Sequence, residues 1–275
     1  VEAVTRSDEG EDSSAVGLLG WLVGYKHYLE RTSGEMSAFR FPGGAQSLVA
    51  RMSETLQGDI FFDHILHSVE QNEESVQIWC KGEMAFGDRV VITLPPPVLR
   101  KIEFPFDFPD EKLKAWETIG SARAIKVTLR FKRRFWLDEK WQGRMLSNLP
   151  FQQIWDSGRE GAACLSAYIC GQAAVNIARQ RDPVAGVLRA VSEVAPLAQE
   201  EFVEGWLHDW IHDPYSLGAF TSLTPGSVRD ALPHLATPVG RIHFAGEYAS
   251  SWQGFVEGAL ESAERVVEEV LESGR

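Results

Sequence analysis

The stretch Arg241–Leu271, RIHFAGEYASSWQGFVEGALESAERVVEEVL, reads as a short strand, a glycine-bearing turn and a long helix. In the helix Phe255, Ala259, Ala263, Val266, Val267 and Val270 recur at helical spacing, which predicts one buried face. A helix whose first turn follows glycine offers unpaired N–H groups and the positive end of its dipole. The turn WQGFVEG therefore suits an anion or an electron-rich ring edge. Gly246, Gly254 and Gly258 would equally serve close packing of strand on helix, so the turn alone leaves both readings open.

Upstream, strands and helices interleave. The acidic first 14 residues suggest an exposed or frayed terminus, and a helical segment spans roughly Ala15 to Glu30. FRFPGGAQSLVARMSETL (Phe39–Leu56) predicts an extended piece, a Gly43–Gly44 turn and an amphipathic helix with Leu48, Met52 and Leu56 on one face. Three β-rich runs follow between Asp59 and Leu94 (DIFFDHILHSVEQ, SVQIWCKG and DRVVITL), closed by Pro95–Pro96–Pro97, which cannot donate to a ladder. FPFDFPDEKLKAWETIG gives a connector and a short helix; AIKVTLRF and ACLSAYIC give strands; Asp182 to Ala198 is helical. The class is mixed α/β with α+β portions, which excludes a pure bundle or sandwich.

At 275 residues and 44% hydrophobic content the chain can bury one large or two modest cores. Its 39 acidic against 27 basic residues, net charge -12, argue against nucleic-acid binding. The one basic cluster, Arg130, Lys132, Arg133 and Arg134, alternates with apolar residues and reads as a solvated strand end. Cys80, Cys164 and Cys170 lack ligand spacing and, being three, cannot form a complete disulfide framework. The apolar run Val16–Tyr25 is about half the roughly 20 residues of a spanning helix, so no membrane association is expected. With no targeting signal visible, a soluble protein, cytoplasmic by preference, is the expectation. His208 and His212 in HDWIHD would suit a metal only if that segment were helical; no third ligand is evident and no metal is expected.

FAGEYASSWQGFVEGALESAERVVEEVL is similar to the C-terminal flavin-binding signature of the FAD-dependent amine oxidases, the family of monoamine, polyamine and L-amino-acid oxidases. Four other pieces resemble that family in its own order. FRFPGGAQSLVARM looks like the re-entry into the flavin domain and RVVITLPPPVLRKIEF like that domain's last strand and exit. AIKVTLRFKRRFW resembles the lysine-bearing strand of the substrate domain, and WIHDPYSLGAF the segment approaching the flavin ring. The resemblance runs from about Ala38 to the end and implies the C-terminal portion of a two-domain fold. Residues 1–37 would form the acidic terminus and a helical segment of the substrate domain. Flavin-domain segments at 38–104 and 215–275 would flank a substrate domain of mixed sheet plus helices at 105–214. The family's N-terminal GxGxxG cradle for the FAD pyrophosphate is not in this sequence. A second polypeptide carrying it, in a higher hetero-oligomer, is the implied partner, and a first residue of Val1 fits a cut precursor.

The resemblance also implies roles. Lys126 stands where the family's lysine holds a water against flavin N5; without the resemblance, an alternating strand would leave it facing solvent. Phe220 and Phe255 would face each other over the substrate amine, with Gly254, Trp155 and Asp156 also on the substrate side. Ile65 would contact adenine through its backbone. Gly246 and Glu247 would meet the ribityl chain, with the carboxylate accepting from a hydroxyl, and Gly254, Phe255 and Val256 would offer N–H groups to the ring. Trp210, Gly218 and Trp252 would wall the flavin pocket, and Ala219, where some relatives attach flavin through cysteine, implies non-covalent FAD. The implied reaction is oxidation of an L-amino acid or primary amine to an imine, then a keto acid or aldehyde plus ammonia, with O2 reduced to H2O2. A non-catalytic flavin-fold module that binds a protein partner is the alternative.

Overall fold

The structure, a computed structural model, describes residues 2–31, 41–139, 141–159 and 161–273. Phe39 and Arg40, the start of the predicted extended piece, lie outside the described residues.

The chain opens with α1 (Glu2–Glu9), α2 (Leu18–Arg31) and α3 (Ala45–Ser53). β1 (Leu66–Gln71), β2 (Val76–Cys80) and β3 (Glu83–Gly87) form an antiparallel meander, one strand more than the sequence pattern showed. β3 is exposed along its whole length, so it carries no burial alternation to read. After β4 (Val90–Ile92), the proline run begins the one-turn α4 (Pro96–Leu99), where a missing N–H costs nothing. Next come α5 (Asp110–Thr118), β5 (Gly120–Ser121), β6 (Ala124–Phe131), β7 (Met145–Leu146), β8 (Gln153–Asp156) and β9 (Ala163–Cys170). α6 (Gly171–Ala178) and α7 (Pro183–Val194) follow. Asp182 caps α7 by accepting from the Ala185 N–H at 2.9 Å, with proline at the first helical position. The chain ends through α8 (Leu197–Glu201), β10 (Phe202–Asp209), β11 (Thr221–Ser222), α9 (Ser227–Asp230), α10 (Leu232–Leu235), β12 (Ile242–Phe244) and α11 (Val256–Ser273).

One five-stranded antiparallel sheet, in the order β10-β6-β9-β8-β7, organises the middle of the molecule. Successive residues of a strand point to opposite faces, and β6 shows the result. Ile125, Val127, Leu129 and Phe131 are buried with Ile154, Leu165, Ala167 and Ile169 under α6 and α7, while Lys126, Thr128 and Arg130 look the other way. A second core gathers Leu99, Phe108, Trp116, Leu223, Phe244 and Tyr248 around the parallel pair β4–β12.

Two expectations need correction. The acidic terminus does not fray. Gly10, at φ +66°, turns the chain after α1, and Arg123 grips the buried Glu11 through two contacts of 2.6 and 2.5 Å. Ser7 Oγ also donates to Gln153 Oε1 at 2.5 Å, fixing α1 against the sheet. The buried face of α11 is Gly258, Ser262 and Val266; of the stripe read from the sequence Val266 is buried and Ala259 and Val270 are half-buried, while Phe255, Ala263 and Val267 are exposed. Ser262 Oγ accepts from the Gly246 N–H at 2.9 Å, and Arg265 donates to the Phe244 carbonyl at 2.7 Å. The Gly246 N–H and the Phe244 carbonyl at the end of β12 need partners, and Ser262 and Arg265 of α11 supply them. Val256, Leu260, Val267 and Leu271 are left exposed.

Candidate functional site

The non-core face of the five-stranded sheet carries the candidate site. Antiparallel register sets His208, Lys126, Tyr168, Gln153 and Leu146 side by side in one row across β10, β6, β9, β8 and β7. Lys126 Nζ lies 5.4 Å from the ring centre of Trp155, 5.8 Å from Trp210 and 5.9 Å from Tyr168. The non-core face is thus an aromatic box rather than open solvent. Burial pushes the Lys126 ammonium below its ordinary range. Among the described residues it makes no ion pair or hydrogen bond, which leaves its three donors unused there. Tyr168 was missed from the sequence; only the β6–β9 register puts it opposite Lys126.

From the box the chain leads directly to the C-terminal turn. Trp210 stacks on His208 at 5.5 Å, and its carbonyl accepts from the Gly218 N–H at 2.8 Å. Gly218, at φ +147°, has no room for a side chain: a Cβ would meet Ser121 Oγ at 1.8 Å. Ala219 and Phe220 then bond to Ala122 through their N–H and carbonyl groups at 2.9 and 2.7 Å. The Phe220 ring lies against Gly10 and Gly254, where an added Cβ would meet it at 2.6 and 3.2 Å. Phe255 instead lies tilted against Trp252 at 4.7 Å, and Trp252 stacks on His27 at 6.2 Å.

Glu247 ties this turn together. Its Oε1 accepts from the Thr221 N–H (2.9 Å) and hydroxyl (2.7 Å), and its Oε2 from the Gly254 N–H (2.6 Å). Burial nevertheless pushes the carboxyl above its ordinary range, against the pull of these donors. Glu247 and Gly254, expected at the ribityl chain and the ring edge, are thus bonded to each other in this chain. Phe255 and Val256 occupy the first turn of α11, before the intrahelical bond from the Ala259 N–H to the Phe255 carbonyl, and both are exposed.

Other sites fall elsewhere. Trp155 joins the Lys126 box, but Asp156, its neighbour in β8, lies by Trp136 on the core side and pairs with Arg134 at 3.1 Å. Strand alternation thus separates two residues that were expected to face substrate together. The Ile65 carbonyl accepts from the Lys81 N–H at 3.1 Å. Gly246, at φ +133°, sits over the Tyr248 ring, 2.8 Å from where a Cβ would fall. The HDWIHD segment runs out of strand β10. His212 bonds to Asp209 at 2.7 Å while His208 lies against Trp210, so the two do not share a helix face. The basic cluster is solvated and paired, Arg130 with Glu204 and Arg133 with Asp138 and Glu201. Among the described residues no helix is long and apolar enough to cross a membrane.

A family model described as flavin containing amine oxidoreductase matches residues 10–271. The putative L-amino-acid oxidase YobN of Bacillus subtilis (strain 168) is 29% identical over 84% of this chain and 52% of its own length. Flavin-containing amine oxidase B of Sus scrofa is 26% identical over 96% of this chain and 53% of its own. Among solved structures, cyclohexylamine oxidase from Brevibacterium oxydans IH-35A superposes with a TM-score of 0.87 at 21% identity, over 99% of this chain and 63% of that one. A putrescine oxidase bound to putrescine superposes with a TM-score of 0.77 at 22% identity, over 84% of this chain and 53% of that one. The chain spans about half the length of the curated relatives it matches. On a match that covers nearly all of its residues, the chain belongs to the flavin containing amine oxidoreductase family.

Proposed function

We propose that this chain forms the substrate face, and part of the flavin site, of an oxidase that deaminates a primary amine or an L-amino acid with O2 as acceptor. The observation that carries this reading is Lys126, a half-buried ammonium in a box of three aromatic rings with no counter-ion among the described residues. Such a group fits a reaction face where a small polar molecule must be held away from bulk water.

The family's cofactor is FAD, and the donor set fits it. The first turn of α11 offers N–H groups and the positive dipole end beside Phe255, and no carboxylate competes at Lys126. The chemistry that bound FAD would supply here is two-electron acceptance from the substrate C–H bond, with O2 as the final acceptor. Lys126 Nζ holds a water or an oxygen species at the reacting face. Trp155, Tyr168 and Trp210 exclude bulk solvent and fix the amine carrying it. Phe220 and Phe255 flank the substrate amine, and Glu247 keeps Phe220 and the Gly254 turn together. Binding is non-covalent in this reading, because Ala219 offers no thiol at the loop beside Gly218.

The glycine-rich pyrophosphate cradle is not among these 275 residues. We assign it to a nucleotide-binding part of the protein outside these residues, on the same polypeptide or on a second one in a heteromer. The exposed apolar residues Val256, Leu260, Val267 and Leu271 of α11 and Leu18, Leu22 and Tyr25 of α2 support the need for a covering element. The test is to express the chain with and without a nucleotide-binding partner and record the flavin spectrum and peroxide release on amine and amino-acid panels. Yellow protein that releases peroxide only in the complex is expected. A colourless, inactive complex overturns the proposal.

A further inference from the structure

The row that contains Lys126 continues beyond the aromatic box into a cavity. Two strand spacings of about 4.8 Å place Gln153 about 10 Å from Lys126 across the sheet. There a cavity of about 250 Å³ opens, lined by Ser7, Asp8, Arg144, Met145, Leu146 and Gln153. Docked α1 supplies one wall and the β7–β8 edge the other.

Its charges are unusual. Asp8 and Arg144 line the same cavity with opposite charge, yet neither makes an ion pair with any described residue. Nearby charged groups are otherwise committed: Arg6 pairs with Asp12, Glu11 with Arg123, and Arg134 with Asp156. Ser7 and Gln153 already bond to each other, so their partnership shapes the floor without using either charge. An acceptor and a donor of full charge, separated across one cavity in line with the reaction face, match a group that carries both charges itself.

Resting on the oxidase reading above, we propose that this cavity is a distal substrate subsite for a zwitterionic amino-acid head group. Asp8 takes the head's ammonium and Arg144 its carboxylate, while the amine to be oxidised lies at the far end of the chain beside Lys126. The substrate class is then a long diamino acid oxidised at its terminal amine. The overall reaction is R–CH2–NH2 + O2 + H2O → R–CHO + NH3 + H2O2: the C–H bond loses two electrons to O2, and water supplies the carbonyl oxygen. A span of about 10 Å corresponds to a chain of about eight carbons.

The test uses the complete flavin-loaded protein and four substrates of one length: octylamine, 1,8-diaminooctane, 8-aminooctanoic acid and 2,8-diaminooctanoic acid. Values of kcat/KM for terminal-amine oxidation are expressed relative to octylamine within each protein, with product aldehyde position assigned by mass spectrometry. The wild type is expected to favour 2,8-diaminooctanoic acid at least tenfold. Asp8→Asn should selectively erase the gain from the distal ammonium, and Arg144→Gln the gain from the distal carboxylate. Equal ratios for all four substrates in the wild type overturn the subsite, as do ratios that neither variant changes. Preference for one single-charge tail alone also overturns it. Failure to oxidise any of the four or any amino acid overturns the oxidase reading instead.

Discussion

Lys126 sits on a strand whose other face is core, so its side chain can only enter the aromatic box. Lys126→Met keeps the stem and removes the donors. Reaction of the reduced flavin with O2 should slow by about a hundredfold or more, measured by stopped-flow absorbance, and an unchanged rate would remove Lys126 from the reacting face. Glu247 is the second residue on which the site depends. Glu247→Ala leaves the Thr221 N–H and hydroxyl and the Gly254 N–H without their acceptor. That change should cost about 2–3 kcal/mol in the denaturation of the complete protein, with Glu247→Gln retaining part of the loss. The lysine and glutamate were legible as residues from the sequence, but their partners were not. Tyr168 and Thr221 reach them only through cross-strand register and a turn, neither of which leaves a local pattern.

Elements show the same division. The strand–turn–helix of residues 241–271 was legible because its segments are short and its apolar spacing helical; the facing of α11 was not, because the strand end it covers asks for Ser262 and Arg265. The N-terminal acidic segment failed as a reading for a related reason: composition registers charge but not the arginine, 112 residues away, that pairs with it. α10 has its own tie. Lys112, buried under the Phe244 ring, donates to the carbonyls of His234, Leu235 and Thr237 at 3.0, 2.8 and 2.7 Å. Burial, with the charge of Arg265 beyond it, pushes this ammonium down to about 7. The unfolded chain keeps the proton up to about 10.5, so between these values unfolding takes up a proton and stability rises with pH. The stability difference between wild type and Lys112→Met should therefore climb in the wild type's favour from pH 7 to 10, by about 1.4 kcal/mol per pH unit at most. A flat difference in urea titrations across that range would contradict the assignment.

At the scale of the whole molecule, two cores leave several helix faces uncovered. The mixed α/β class was legible from interleaved periodicities. The assembly was not, because residues exposed in this chain carry the same apolar pattern as residues buried within it. Leu260→Glu together with Val267→Glu should weaken capture of the nucleotide-binding part. Each fully buried aliphatic side chain is worth about 1.5–3 kcal/mol, so the loss should appear as lower flavin content and an altered elution volume on size exclusion. Unchanged flavin content and elution would place the covering element elsewhere. The most direct test of the account is anaerobic mixing of the complete flavin-loaded protein with amine and amino-acid panels, followed by admission of O2. The account predicts bleaching of the flavin absorbance by at least one such substrate and its recovery with one equivalent of peroxide. Flavin that stays oxidised with every amine and amino acid would contradict it.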